Sequence, residues 1–230
     1  MRKTIRTRDM KTRHASRFRG HEKSRFIIQP RKTIIRSLLL VFVCVSLLVP
    51  IGGYASSYRT YCKDIRYGKE ALKSGDYSNA GKKFEEAYQN GKSRDALMYL
   101  AIIDYRTNNV DNAERLIREA ELMGGFNYHY LRVLGYKALI LLKKNKDQGL
   151  EALDRYVVFY SRLDPLMSIN DVKEMVKTGE IDMALIDKLI EEQVTWYEND
   201  VEQYWSTGTG WYAAKWGGLA PVPGPPECNP

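Results

Sequence analysis

Few residues in this chain could do bond-making chemistry. It has three histidines and three cysteines in 230 residues. His14 and His21 lie in a strongly basic N-terminal stretch, and only His129 stands in the body of the chain. General acid–base or nucleophilic catalysis needs a second group within hydrogen-bond reach of the first. No Cys-x-x-Cys, His-Glu-x-x-His, Gly-x-Ser-x-Gly or phosphate-loop spacing supplies one. A lone histidine reads as a structural or simply exposed residue. The adjacent carboxylates Glu85-Glu86 and Glu191-Glu192 read, with their neighbours, as solvated helix faces. Cys62 and Cys228 could pair in an oxidising compartment, but their spacing does not show that they meet. No catalytic residue, metal ligand or cofactor site is therefore expected, and no small-molecule ligand.

What the residues suggest instead is recognition, and charge first says where. The net charge is +8, yet residues 1–36 hold thirteen Lys and Arg against Asp9 and Glu22. That arm carries +11 and the remaining chain −3, so the basic character belongs to a tail and not to the folded part. The apolar run Ser37–Ile51 follows, and uncharged sequence continues to Tyr58. A cleaved signal peptide is supported by the short apolar core, by Pro50 near its end, and by Gly53-Tyr54-Ala55 with cleavage after Ala55. A membrane anchor over residues 37–58 is supported by the long arm and by 22 uncharged residues, enough to span with tilt. Either way positive charge stays inside, and residues 59–230 are expected on the periplasmic or extracytoplasmic side of a cell envelope. Cys44 follows Val41-Phe42-Val43, where a lipoprotein signal would need a small residue.

The elements that must form the recognition surface repeat. Gly68, Ala101 and Gly135 are spaced by 33 and 34 residues. Ala80 and Ala113, Phe84 and Ile117, and Ala87 and Ala120 are each 33 apart. This pattern resembles the tetratricopeptide repeat family, whose unit has a helix with a small residue, a Gly-x-Tyr turn, and a second helix with Ala, an aromatic and Ala at set offsets. The first unit carries Gly68, Gly75, Tyr77, Ala80, Phe84 and Ala87. The second carries Ala101, Ala113, Ile117 and Ala120, with Asn108 and Val110 in the turn. The third keeps Gly135, then departs: its turn Lys144-Asn145-Lys146-Asp147 is read as two residues longer, and Tyr156 replaces the last small residue. Small residues let two helices approach closely, and each hairpin leaves an apolar face for the next to bury.

The resemblance implies an all-α helical-hairpin solenoid over residues 59–162, with a protein or peptide partner held in a concave groove lined by the first helix of each unit. The implied groove residues are Ile65, Lys69 and Leu72; Asp95, Met98, Ile102 and Tyr105; and His129, Arg132, Tyr136 and Leu139. Members that clamp a peptide carboxylate use a Lys and Asn set, and Ile65 and Lys69 occupy the first two matching places here, with no Asn.

After the break at Leu163-Asp164-Pro165, Ser168-Ile169-Asn170-Asp171 reads as a capping box opening a short helix that stops at Gly179. Ile181, Leu185, Leu189, Val194, Tyr197, Val201 and Tyr204 mark the buried stripe of a longer helix, and residues 163–205 form a pair that caps the stack. Residues 206–230 hold five Gly and five Pro with Trp211, Tyr212 and Trp216, and read as an extended or disordered tail, a candidate polyproline ligand. The whole reads as an exported or membrane-anchored adaptor in a bacterial envelope assembly. The alternative is an anchored protein whose basic cytoplasmic arm binds anionic lipid or nucleic acid, with the repeats serving self-association; no nucleic acid is expected for the folded part.

Overall fold

The structure is a computed structural model that describes residues 51–123, 128–216 and 228, with the side chains of 51–56 excepted. The basic arm and nearly all of the apolar run lie outside the described residues. Among those that are described, every regular element is a helix, and none is long and apolar enough to cross a membrane. The order is α1 (Ile51–Lys73), α2 (Tyr77–Gly91), α3 (Arg94–Arg106), α4 (Val110–Leu122), α5 (Tyr130–Lys144), α6 (Lys146–Ser161), α7 (Asn170–Thr178), α8 (Met183–Thr207) and α9 (Trp211–Trp216). Neighbours in sequence pack as pairs, most extensively α1 with α2, α3 with α4 and α5 with α6, while α8 returns against α5.

Local chemistry explains where the helices stop and start. Gly75 takes φ +78° between α1 and α2, and Asn108, 33 residues on, takes φ +64° between α3 and α4. Asparagine is one of the few side chains that tolerates the left-handed region, so it can stand where the first turn has glycine. Asp76, Ser93 and Asn145 then cap the following helices, accepting from the backbone N–H of Asn79 (3.0 Å), Ala96 (3.2 Å) and Gln148 (3.0 Å).

The crossings between paired helices are set by small residues. Ala80, Ala87, Ala101, Ala113 and Ala120 are wholly buried, as are Phe84 and Ile117. A Cβ on Gly68 would lie 2.6 Å from the Phe84 ring, and that ring stacks on Tyr99 of α3 at 4.6 Å between centroids. One aromatic thus fills the space that glycine opens and carries the contact to the next pair.

Four expectations need correction. The third turn is shorter than expected, not longer: α5 runs on to Lys144, and extended Asn145 alone separates it from α6. The extra residues lengthen α5 because Leu141 and Leu142 continue its apolar side. Gly149 permits the tight reversal, since a Cβ there would lie 2.6 Å from the Leu142 backbone. At α7 the expected box is only partly formed: Ser168 Oγ accepts from Asn170 N at 3.3 Å, while Ile169 occupies the cap position. Gly179 does close that helix, at φ +69°. On α8 the buried stripe runs through Ile186, Ile190, Gln193, Val194, Tyr197, Glu198 and Val201; Leu185 is exposed and Leu189 only partly buried. The helix starts after the Asp182 cap, and packing on α5 selects a face turned by one residue from that read off the leucines. Part of the tail is folded as well. Trp211–Trp216 is helical, both carboxylate oxygens of Asp200 accept from the N–H groups of Trp211 and Tyr212, and the Tyr212 ring is buried edge-on to Tyr197.

Two helical glycines give a paired test of these crossings. Gly81→Ala adds a methyl in ordinary contact, 3.9 Å from Ile103, and should raise unfolding stability by roughly 0.5–1 kcal/mol through helix propensity. Gly68→Ala gains the same propensity but drives a methyl into the buried Phe84 ring, and overpacking of about 1–3 kcal/mol should make it a net loss. Urea unfolding of both variants checks the opposite signs.

Candidate functional site

The first helices of the hairpins, α1, α3 and α5, share a face with the returning α8, and between them lies a cavity of about 1070 Å³. Its deep end is a buried polar chain that ties α5 to α8. Arg132 donates through Nε to both oxygens of Glu198 (3.0 and 3.1 Å), through Nη2 to Glu198 Oε2 (2.9 Å), and through Nη1 to both oxygens of Glu191 (2.9 and 3.0 Å). His129 meets Glu198 Oε1 through Nδ1 at 2.8 Å, and its Nε2 lies 3.7 Å from Asp95 of α3. Tyr136 donates to Glu191, and Arg106 donates to Tyr136 (3.0 Å) and to Asp187. Four carboxylates therefore face three cations across the α3, α5 and α8 junction.

The electrostatics follow from low dielectric and close partners. Burial pushes the Glu198 carboxyl up, but Arg132 and His129 outweigh it and hold the group well below the usual carboxylate range. Burial likewise opposes ionisation of Glu191, and Arg132 and the Tyr136 hydroxyl overcome it. Burial disfavours charge on His129, yet Asp95 and Glu198 prevail and raise it above its ordinary value, so the site favours the imidazolium. Desolvation, with Glu191 nearby, pushes Tyr136 upward, so it stays a neutral donor. Both oxygens of Glu198 are occupied, which makes this carboxylate an anchor for α8.

Of the residues expected to line a groove, Ile65, Lys69, Leu72, Asp95, Ile102, His129, Arg132 and Tyr136 all border this one cavity. Met98, Tyr105 and Leu139 do not border it; they are buried in the core. On α3 the cavity face is Asp95, Tyr99, Ile102 and Arg106, spaced four, three and four. At ~100° per residue, Met98 and Tyr105 point roughly 70–90° to one side. His129 and Arg132 are also not open to solvent, at 2% and 6% exposure, because α8 covers them.

Glu198, Arg106, Tyr99 and Tyr128 belong to the site without having been singled out from sequence, and Glu191 belongs to it although its sequence reading was that of a surface residue. Glu191 keeps a partly exposed side chain but is paired with Arg132 and Tyr136. One signal was present: Gln193 and Glu198 sit at core-facing spacing within the apolar stripe of α8, and polar residues at such positions need partners. Gln193 has them in the Tyr156 hydroxyl (2.8 Å) and the Ser168 carbonyl (2.8 Å). That explains why a tyrosine replaces the last small residue of the third unit.

The two walls of the cavity differ. The α8 wall is acidic, and its carboxylates already have partners: Glu191 and Glu198 hold Arg132, and Glu202 accepts from Tyr128 (3.2 Å) and pairs with Lys69 (3.6 Å). The α1 wall presents Arg59, Lys63, Arg66 and Lys73 with Glu70 among them, all exposed. Cys62 of α1 also borders the cavity and is disulfide-bonded to Cys228, with 5.0 Å between Cα atoms. Among the described residues no group of three His, Cys, Asp or Glu is placed to hold a metal ion.

Comparison with known proteins finds no matching family model, no similar curated protein and no similar solved structure. The tetratricopeptide resemblance thus rests on the residues quoted above.

Arg132→Met should cost about 3–5 kcal/mol in urea unfolding, because Glu198 would stay buried without its main partner. The pH dependence has a defined sign. His129 has a raised folded-state pKa, so its contribution is complete below its ordinary value of 6.5 and is lost as pH rises through the raised one. Glu191 and Glu198 are lowered, so theirs is present above the ordinary 4.5 and is lost as pH falls through the lowered values. The stability gap between wild type and His129→Gln should therefore widen from pH 8 toward pH 6.

Proposed function

We propose that residues 59–205 form a tetratricopeptide-type helical adaptor on the extracytoplasmic side of a cell envelope, and that it receives a segment of a partner protein in the α1–α3–α5 groove. The observation that carries this reading is the convergence of residues from three successive first helices on a single cavity. Three further features support it. Gly68, Ala101 and Gly135 recur at the period of the repeat, and Gly75 and Asn108 share a left-handed turn conformation at that same period. Cys62 and Cys228 are bonded, which suits an oxidising compartment. The thirteen-cation arm ahead of the apolar run has the charge asymmetry of a segment kept in the cytoplasm. In this reading α8 closes one end of the groove and leaves the α1 end for the partner. A bacterial envelope assembly is the setting that fits an exported scaffold of this size.

The test is position-dependent photo-crosslinking in the native cell. A benzoylphenylalanine at Lys69 or Leu72 should give a discrete crosslinked protein, and one at the exposed Lys82 or Arg118 should not. Thiol alkylation of the same samples should find Cys62 and Cys228 oxidised and the protein in the envelope fraction. Crosslinks independent of position, or a reduced protein in the cytosol, would refute the adaptor reading.

A further inference from the structure

The charge on the α1 wall identifies what kind of segment fits the groove. Resting on the adaptor reading, we propose that the partner supplies an acidic extended segment, held by internal Asp and Glu side chains along α1 and not by its C-terminal carboxylate.

Arg59, Lys63, Arg66 and Lys73 are spaced four, three and seven residues apart, which places them on one face of α1. All four border the cavity, as does exposed Glu70 on the same face, so the face carries four cations against one acid. None of the four forms an ion pair among the described residues; Lys63 and Arg66 lie over the Tyr67 ring at 5.7 and 5.2 Å. Several cations on the neighbouring hairpins are paired: Arg115 with Glu119, Arg118 with Glu114, Lys144 with Asp111 and Glu114, and Arg155 with Glu121. The folded part is acidic once the arm is set aside, so a face with four cations against one acid runs against its composition. The acids across the cavity cannot neutralise that row, because Glu191, Glu198 and Glu202 already hold Arg132, His129, Tyr128 and Lys69. Positive potential therefore remains on one wall of a concave site, where a complementary charge is both steered and oriented.

The geometry favours a protein segment over a membrane surface. The row runs fourteen residues along a helix, about 21 Å at 1.5 Å per residue. That length is matched by roughly six residues of extended chain at 3.3–3.6 Å each. A lipid surface is flat on this scale and cannot line a cavity whose other side is α3 and α8. Four separate cations in a row match side-chain carboxylates along a strand; a single chain terminus would occupy only one of them.

The experiment uses the full chain in non-ionic detergent with the disulfide intact. Fluorescence anisotropy follows an amidated, fluorescein-labelled eight-residue peptide in which Glu alternates with Ser and Tyr, alongside the same peptide with Gln for Glu. The Glu peptide is expected to bind at least tenfold more tightly, and to weaken steadily as salt is raised. Lys63→Glu with Arg66→Glu should weaken it tenfold or more, while Lys173→Glu on α7 leaves it unchanged; both cation sites are exposed, and circular dichroism checks that the fold is kept. Equal binding of the Glu and Gln peptides, no effect of the double reversal, or no binding of the Glu peptide would overturn the proposal. Binding only by a version with a free C-terminal carboxylate would overturn it in favour of a terminal clamp. Tighter binding of dihexanoyl phosphatidylglycerol at the same residues would overturn it in favour of a lipid headgroup. If the charge preference fails while Lys69 and Leu72 still crosslink a protein, the adaptor reading survives alone.

Discussion

The Arg132–Glu198 contact is the interaction on which the site depends, because it decides where α8 lies. The three helical pairs leave an apolar edge open. α8 closes the edge with Ile186, Ile190, Val194, Tyr197 and Val201, all buried. Apolar packing of that kind is tolerant of register: a helix can slide or roll by a residue and still bury leucine and isoleucine. A buried guanidinium held by two carboxylates is not tolerant, since any shift leaves a charge unpaired in low dielectric. Such a pair adds little net stability over an apolar one, and its consequence is directional. It sets one rotation and one height of α8 against α5, and the Gln193–Tyr156 contact sets the same register from the other side.

That choice shapes the cavity. With α8 seated on His129, Arg132 and Tyr136, the third first-helix is largely covered by the chain itself, and the accessible part of the groove lies toward α1. The acidic wall is consumed in holding α8, and the basic wall of α1 is left facing the cavity. The polarity of the site is thus a by-product of how the helical stack is closed. The disulfide from Cys62 to Cys228 ties the far end of the chain to the same wall, so the two ends of the folded part meet beside the candidate groove.

Much of the architecture was legible in the order of residues, for a physical reason. Helix crossings need small residues at fixed intervals, so Gly68, Ala80, Ala101, Ala113 and Gly135 write the hairpin period directly into the chain. Turns with positive φ accept few residue types, so Gly75, Asn108 and Gly179 mark them. Those are local constraints, satisfied within about thirty residues, and sequence spacing records them well. The all-helical class and the pairing of neighbouring helices follow from them.

Tertiary structure alone decided the rest. Met98 and Tyr105 share a period with the groove residues yet turn into the core, because the face of α3 is chosen by helices packed on both its sides. Glu191 gave no sign beside Glu192 that α5 would bring Arg132 to it. His129 looked isolated because its partners, Glu198 and Asp95, are 69 residues ahead and 34 behind. A contact between residues so far apart leaves no periodic trace in one chain, since nothing local requires it. The sequence alone determined which helices form and where they can approach; only the folded arrangement decided which charges meet and which are left facing the cavity.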